Sequence, residues 1–247
     1  SIKAASNELQ LTFDESDSIS YQLIANTGSY GNASGILIRL MFARYDNSAK
    51  KEFVLPDYTG EFVKAEKRRR GISDVKYFEY EIRYAGKDSL HQTLTEVNYP
   101  DSVRYSTNYV SYSPDGKEVL LDAETLDRHT RKLFIYDIST RSVKEIYSET
   151  DAAWYERHSN PTFFIDSLSI MFESEVSGYN SLYRIRKDGS GFALIAGGKY
   201  TILESVIDRR NGRVYFSANK EHPYEYFIYE TGFEGTSLKQ LTSEAGD

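Results

Sequence analysis

The sequence predicts an all-β fold, built as a partial β-propeller of four-stranded antiparallel blades. Aromatic residues make up 14% of the 247 residues, including 21 Tyr and 13 Phe, and such side chains favour the pleated, half-buried surface of a sheet. The second half of the chain repeats an order of four short apolar strands separated by turn residues. Helical patterns are scarce, because even Glu61–Arg70, with the best helix propensity, carries too few apolar positions for an amphipathic face.

The repeated part consists of three units of similar length. They cover Tyr109–Ile146, Pro161–Gly198 and Glu204–Glu244. If Val119, Ile170 and Val214 are equivalent positions in the second strands, the units recur after 51 and then 44 residues. Four strands in a repeat of about 40–50 residues are typical of propeller blades.

The residues before Tyr105 follow this pattern less regularly. Strands are expected at Ile19–Ala25, Gly35–Tyr45, Lys51–Leu55 and Asp74–Tyr84. The third of these could complete a blade with the first two. We expect one to two blades in residues 1–104 and three blades in residues 105–247, although one continuous propeller domain over residues 1–247 fits the same pattern.

The turns have a chemical rationale. In Ser113-Pro114-Asp115-Gly116 the proline presets φ, and the two residues after it complete a tight reversal. Asn211-Gly212 suits a primed hairpin turn. Ser177-Gly178 is expected to reverse the chain in the second unit. Four residues after this reversal are expected to pack within the blade: Tyr179, Leu182, Tyr183 and Ile185.

Composition excludes several classes of function. A net charge of −7 argues against nucleic acid as a partner, because phosphate binding needs a basic face. The absence of Cys excludes disulfides, zinc–thiolate sites and Cys nucleophiles. The four His form no His-x-His or His-Glu-x-x-His pair, and no Gly-x-Ser-x-Gly is present. We therefore expect no catalytic residue, no metal site and no cofactor in this chain.

From Leu120 onward the repeats resemble a known family. The Trp of DAAWYE precedes PTFFIDSLSIMFESEVSGYNSLYRI, and GGKYTILESV and VYFSANKEHPYEYFIYE follow. This order resembles the N-terminal β-propeller of the dipeptidyl peptidase IV family, in the prolyl oligopeptidase clan of serine peptidases. The resemblance covers a little over half of the chain.

The resemblance implies a role within a larger enzyme. Family members join an eight-bladed propeller to an α/β-hydrolase domain, and 247 residues are too few for both. The expected function is therefore a non-catalytic region, a scaffold and substrate-access gate for a hydrolase domain outside this chain. The implied partners are that α/β-hydrolase domain of the same parent chain and a peptide substrate, and the implied location is periplasmic or extracellular.

The family's amine-binding motif, Asp-Trp-x-x-Glu-Glu, is not present. The sequence has no adjacent Glu pair, and its one Trp, Trp154, follows Ala153 rather than Asp. No substrate-binding residue is therefore carried over from the family.

The segment between the first two units supplies the candidate ligand contacts, which are Trp154, Tyr155, Glu156 and Arg157. Loops between blades often face the central channel of a propeller, so these side chains could touch a ligand. The favoured interpretation of Trp154 is packing between neighbouring blades, since large aromatic residues usually contribute buried area. His129 and the basic run Lys67–Arg70 are interpreted as parts of surface loops.

Two other functions remain open from the sequence. The chain could be a stand-alone TolB-like propeller that binds a protein or peptide partner, because such propellers share its turns. It could also carry an enzyme site on the propeller, which would need a carboxylate cluster on strands facing the channel; no such cluster is identifiable. Terminal blades would expose strand edges, so a homo-oligomer, or closure by the first hundred residues, is expected.

Overall fold

The computed structural model describes residues 2–243 except 6–7, 12–18, 24–27, 33–34, 47–50, 57–61, 68–74, 85–89, 102, 104, 116, 126, 157–162 and 167. Side chains are described from Val97 onward, apart from residues 106–110 and 163–164. Within these residues the chain forms strands, turns and bends. No helix in this part has the length and apolar character needed to cross a membrane.

The first nine described strands form three antiparallel sheets. Their bounds are β1 Ile2–Ala5, β2 Glu8–Leu11, β3 Ile19–Leu23, β4 Gly28–Asn32, β5 Gly35–Asp46, β6 Lys51–Pro56, β7 Phe62–Lys67, β8 Val75–Tyr84 and β9 Leu90–Val97. β1 pairs with β2, β6 pairs with β7, and the other five strands form one sheet around β5.

The expectation that Lys51–Leu55 completes a blade with the two strands before it is wrong. β3 and β4 pair with the two halves of one edge of β5, and β8 pairs along nearly all of the other edge. Both edges of β5 are thus occupied, and Lys51–Pro56 pairs with Phe62–Lys67 in a separate hairpin. A strand-like composition does not determine which strand becomes the partner.

From Tyr105 onward the chain forms three four-stranded antiparallel sheets, with neighbouring strands in chain order. The first blade contains β10 Tyr105–Tyr112, β11 Glu118–Thr125, β12 Thr130–Asp137 and β13 Ser142–Thr150. The second contains β14 Phe163–Phe164, β15 Ser169–Ser174, β16 Ser181–Arg186 and β17 Ala193–Ala196. The third contains β18 Ile202–Asp208, β19 Arg213–His222, β20 Glu225–Gly232 and β21 Lys239–Gln240. The all-β, partial β-propeller fold is confirmed, whereas the domain division at residue 104 stays a prediction.

The three repeats are in register in the structure. Val119, Ile170 and Val214 are fully buried, and each is the second residue of the second strand in its blade. The turn after β18 differs from expectation. Gly212 has a φ of 63°, but Asn211 does not have positive φ, so the expected two-residue primed turn is wrong. The hairpin instead closes at Asp208 and Arg213.

Alternate residues in a blade pack against different neighbours. In β11, Leu120 lies in the core between the first and second blades, while Val119 and Leu121 lie in the core shared with β9. In β15, Phe172 faces the first blade and Met171 faces the third. Because both faces of the first and second blades are covered, β11 and β15 each contain a continuous apolar run, whereas buried and less buried residues alternate in β19 of the third blade.

The up-and-down strand order gives each blade two ends. The connector edge carries the hairpins between second and third strands, with described residues 127–129, 175–180 and 223–224, and the links between blades, with described residues 151–156 and 197–201. The turn edge, at the opposite end, carries the hairpins between first and second strands and between third and fourth strands. Three of the candidate ligand contacts, Trp154, Tyr155 and Glu156, lie on the connector edge.

Candidate functional site

The link between the first and second blades begins with a tethered turn. Asp151 Oδ1 accepts a hydrogen bond from Ala153 N at 2.7 Å, and Asp151 N donates to His129 O at 2.9 Å. The ring Nδ1 of His129 lies 3.0 Å from Asp151 O. Tyr155 N donates to Arg128 O at 2.6 Å. The segment Asp151–Glu156 is therefore held on the β11–β12 hairpin.

Arg128, which supplies one of these acceptors, has a left-handed backbone. Its φ is 62°, a conformation that costs an L-residue about 1–2 kcal/mol. Such strain persists where the surrounding structure requires it. Here it accompanies the hydrogen bond that holds Tyr155.

The structure exchanges the roles expected for Trp154 and Tyr155. Trp154 is 63% exposed and its Nε1 donates to Glu156 Oε2 at 3.3 Å, so the favoured interpretation that it packs between blades is wrong. Tyr155, at 8% exposed, is buried instead. Glu156 is exposed like Trp154, and Arg157 lies outside the described residues. No ligand contact is tested for any of the four, so that role stays a prediction.

Tyr155 rests on the buried guanidinium of Arg131. Arg131 is 3% exposed, and its guanidinium carbon Cζ lies 5.3 Å from the Tyr155 ring centre. It lies 5.5 Å from the ring centre of Phe172, which belongs to the second blade. Burial raises the pKa of the Tyr155 hydroxyl, and the positive charge of Arg131 opposes this rise.

Arg131 is fixed by two carboxylates and one carbonyl. Its Nε and Nη2 donate to the two oxygens of Asp122, both at 2.8 Å. Its Nη1 donates to Glu149 Oε1 at 3.1 Å and to Glu173 O of the second blade at 2.6 Å. Burial alone would lower the pKa of Arg131, but these carboxylates outweigh it and hold the pKa well above the usual value.

Glu149 extends the network into the second blade. Its Oε2 accepts hydrogen bonds from Tyr147 at 3.2 Å and from the hydroxyl of Ser174. Burial raises the pKa of the Tyr147 hydroxyl, and the Glu149 charge adds to the rise. The first and second blades are thus joined by side chains from both.

The second blade repeats the arrangement at equivalent positions. Asn180 Nδ2 donates to Glu173 Oε2 at 3.0 Å and to Ile202 O of the third blade at 2.7 Å. Ser205 Oγ, also in the third blade, donates to Glu173 Oε1 at 2.9 Å. We call Asp122–Arg131 and Glu173–Asn180 the two clamp pairs, since each links its blade to the next.

Sequence reasoning did not find the clamp pairs, although a signal was present. Asp122 and Glu173 stand three residues after Val119 and Ile170, at the same place in otherwise apolar second strands. A charged residue that recurs at one repeat position inside a buried strand requires a partner. That partner is Arg131 in the first blade and Asn180 in the second. Its identity depends on how the third strand of the blade, β12 or β16, pairs with the second strand, which the local sequence does not show.

The connector edge is acidic and carries exposed apolar side chains. The pKa of Glu175 is raised, first by desolvation and then by the charges of Glu156, Glu149 and Asp151. Exposed large apolar residues of this edge include Trp154, Val176, Tyr179 and Tyr224. Among the described residues, no group of three or more His, Asp or Glu is arranged to hold a metal ion.

The packing expected of the β15–β16 hairpin is partly correct. Leu182, Tyr183 and Ile185 are buried as predicted, and Gly178 reverses the chain with a φ of 90°. Tyr179 is 42% exposed, so its expected role in blade packing is wrong. It lies in the hairpin itself, before β16 begins.

These blades define the class of protein as a β-propeller region with a tethered inter-blade loop. Residues 32–247 match the family model described as the dipeptidyl peptidase IV (DPP IV) N-terminal region. The chain belongs to this family, and the resemblance seen in its sequence is confirmed.

Curated relatives and solved structures agree with this assignment. Relatives named "Probable dipeptidyl-aminopeptidase B" include one from Tuber melanosporum, 28% identical over 62% of this chain and 18% of its own length. Another, from Aspergillus niger, is 28% identical over 59% of this chain and 17% of its own length. The chain thus spans less than a fifth of these relatives.

Two solved structures share the fold. One is a Bacteroides ovatus protein titled as a dipeptidyl aminopeptidase IV, with a TM-score of 0.69 and 19% identity over 97% of this chain and 38% of that chain. The other is Porphyromonas gingivalis dipeptidyl peptidase 4, with a TM-score of 0.59 and 15% identity over 84% of this chain and 29% of that chain.

Proposed function

We propose that this chain is a non-catalytic β-propeller region of a dipeptidyl peptidase IV-like serine peptidase. It acts as a scaffold and substrate-access gate for a hydrolase domain encoded elsewhere in the parent protein. Family membership over residues 32–247 supports the class of parent. The names of the curated relatives support peptidase activity for the parent.

The clamp pairs support the scaffold role. Each places a buried charged or amide side chain across the boundary between two blades. Hydrogen bonds from buried groups fix geometry, because leaving such a group without a partner costs about 1–3 kcal/mol. A rigid arc of blades is a suitable base for loops that control access to a separate catalytic domain.

The observation that carries the gate role is the geometry of the segment Asp151–Glu156. It presents the Trp154 ring and the Glu156 carboxylate to solvent, while Tyr155 anchors the segment. An exposed aromatic ring beside carboxylates can contact both the side chains and the charged amine of a peptide. We propose that this connector edge faces the hydrolase domain, with peptide substrates passing between them in a periplasmic or extracellular setting.

The gate role is tested in the full-length parent protein. Trp154→Ala is expected to change kcat/KM for peptides of ten residues more than kcat/KM for a dipeptide reporter, since a gate discriminates by substrate size. Leu168→Ala is the matched control, because Leu168 is 62% exposed but lies on the turn edge.

Equal effects of Trp154→Ala and Leu168→Ala on both substrates would contradict the gate role. Loss of all activity in both variants would likewise count against it, since neither substitution removes a buried side chain. The parent reading frame gives a separate test, because the proposal requires a Gly-x-Ser-x-Gly motif with Asp and His after it.

A further inference from the structure

The segment Asp151–Glu156 has one inward-facing aromatic side chain. Tyr155 is buried, while Trp154 and Glu156 on either side of it are exposed. The direction of the two exposed side chains therefore depends on how the Tyr155 ring is held. The guanidinium carbon of Arg131 lies 5.3 Å from the centre of that ring.

The Arg131 side chain is fixed in one orientation. The paired bonds to Asp122, both 2.8 Å, set the guanidinium plane, and bonds to Glu149 and Glu173 O hold its third nitrogen. A planar, fixed cation can hold an aromatic ring over its face, which a flexible ammonium group does less well.

Stability alone does not explain this arrangement. Replacing a buried ion pair by apolar residues of similar volume is often neutral or stabilising, so such a pair is weak evidence of a stabilising role. The second clamp pair links its blades with a neutral amide, Asn180, at the equivalent position. The first clamp pair instead contains a planar cation, the Arg131 guanidinium. The Tyr155 ring of the link between the blades lies against it.

We propose that Arg131 is a positioning residue, which fixes the Tyr155 ring and thereby sets the orientation of Trp154 and Glu156 on the connector edge. The functional consequence, alignment of the gate, rests on the proposed function. The positioning itself does not, and it is measurable without any substrate.

The chain contains one Trp, so its fluorescence reports on this segment alone. Time-resolved anisotropy of Trp154 in the 247-residue chain is expected to show little local motion. Arg131→Met and Tyr155→Leu are expected to increase that motion at least twofold, together with faster hydrogen exchange of residues 151–156. Tyr155→Phe keeps the ring and is expected to match the wild type.

Lys132→Met is the matched control. Lys132 is the next residue on β12 and pairs with Asp101 and Glu145, away from Tyr155. Wild-type Trp154 motion in this variant supports the proposal, whereas increased motion shows a general loosening and overturns it. Unchanged motion in Arg131→Met or in Tyr155→Leu, or equal motion in Tyr155→Phe and Tyr155→Leu, also overturns it.

If Arg131→Met does not fold, Arg131→Lys takes its place, because lysine keeps the buried positive charge but lacks the planar guanidinium. Increased Trp154 motion in that variant supports the proposal, and unchanged motion overturns it. A negative result on Trp154 motion would refute the positioning role and leave the peptidase assignment untouched. Failure of the peptide-size test in the parent would refute the gate and leave the positioning result standing.

Discussion

Arg131 shows how one residue joins two blades. Its guanidinium binds both oxygens of Asp122 and one oxygen of Glu149 in the first blade, and the carbonyl of Glu173 in the second. Four acceptors for one buried cation leave little freedom for it to move. The same residue would be costly to lose, because its carboxylate partners are also largely buried.

We expect Arg131→Met to lower the free energy of unfolding by about 3–5 kcal/mol, because it leaves buried carboxylates without their cation. Combining it with Asp122→Leu is expected to recover at least about 1 kcal/mol, since one of those charges is then removed. Urea unfolding of the wild type, both single variants and the double variant gives the coupling. Strictly additive losses would show that the two side chains do not depend on each other.

Glu175 makes the connector edge sensitive to pH. Its pKa is raised above the ordinary value of 4.5 by desolvation and then by three neighbouring carboxylates. The folded protein therefore binds the proton more tightly than the unfolded chain. The contribution of this protonation to the free energy of unfolding is fully present below the ordinary pKa of 4.5 and is lost as the pH rises through the raised pKa of Glu175.

Glu175→Gln is accordingly expected to stabilise the fold near pH 7 and to have less effect near pH 4. The gain should stay below about 1 kcal/mol, because partly exposed charges interact weakly. Urea unfolding at the two pH values measures it. Glu204→Gln, which changes an exposed carboxylate of β18, serves as control, and a destabilised Glu175→Gln at neutral pH would contradict the account.

At the scale of elements, the turns between third and fourth strands pack on the preceding blade. Gly189 of the second blade lies against the carbonyl of Ile146 in the first, and Gly235 of the third lies against the carbonyl of Ile195 in the second. Both glycines have positive φ, 90° and 74°. The repeat thus places a glycine where the backbone conformation disfavours a side chain and the neighbouring blade leaves little room for one, least of all at Gly235.

We expect Gly235→Ala to destabilise the fold by more than about 2 kcal/mol. An added Cβ would lie 2.6 Å from Ile195 O, so the blades must shift, in addition to about 1–2 kcal/mol of left-handed strain. Gly212→Ala is the control, because Gly212 has a φ of 63° but open space around the added atom. Thermal unfolding compares them, and equal losses would show that the contact with Ile195 is unimportant.

Elements were largely predictable from the sequence because their signals are local. The second-strand positions Val119, Ile170 and Val214 and the four-strand order follow from apolar runs and turn residues. Strand pairing was not predictable for Lys51–Pro56, since strand-like composition does not show whether it joins Phe62–Lys67 or the sheet around β5. At the candidate site, Trp154 and Tyr155 are consecutive aromatic residues, and composition alone does not show which of the two faces inward.

At the scale of the molecule, the third blade has one covered face and one uncovered face. Phe216 and Tyr229 pack towards the second blade, while Val206 and Ile228 on the other face are exposed. The sheets do not close on themselves in the described residues. An exposed apolar sheet face of this kind favours association.

We therefore expect the 247-residue chain to self-associate in sedimentation velocity, and Val206→Ser with Ile228→Ser to reduce that association. Tyr224→Ser is the control, since Tyr224 is 87% exposed but lies in a hairpin on the connector edge. A compact monomer at all concentrations would contradict this prediction, as would equal self-association of the double variant.

We propose that this chain is the non-catalytic propeller region of a dipeptidyl peptidase IV-like enzyme. The most direct measurement is cleavage of a proline-containing dipeptide reporter by the 247-residue chain and by the full-length parent, each at equal molar concentration. We expect cleavage by the parent and none above background by the chain. Cleavage by the chain alone, or a parent without peptidase activity, would contradict it.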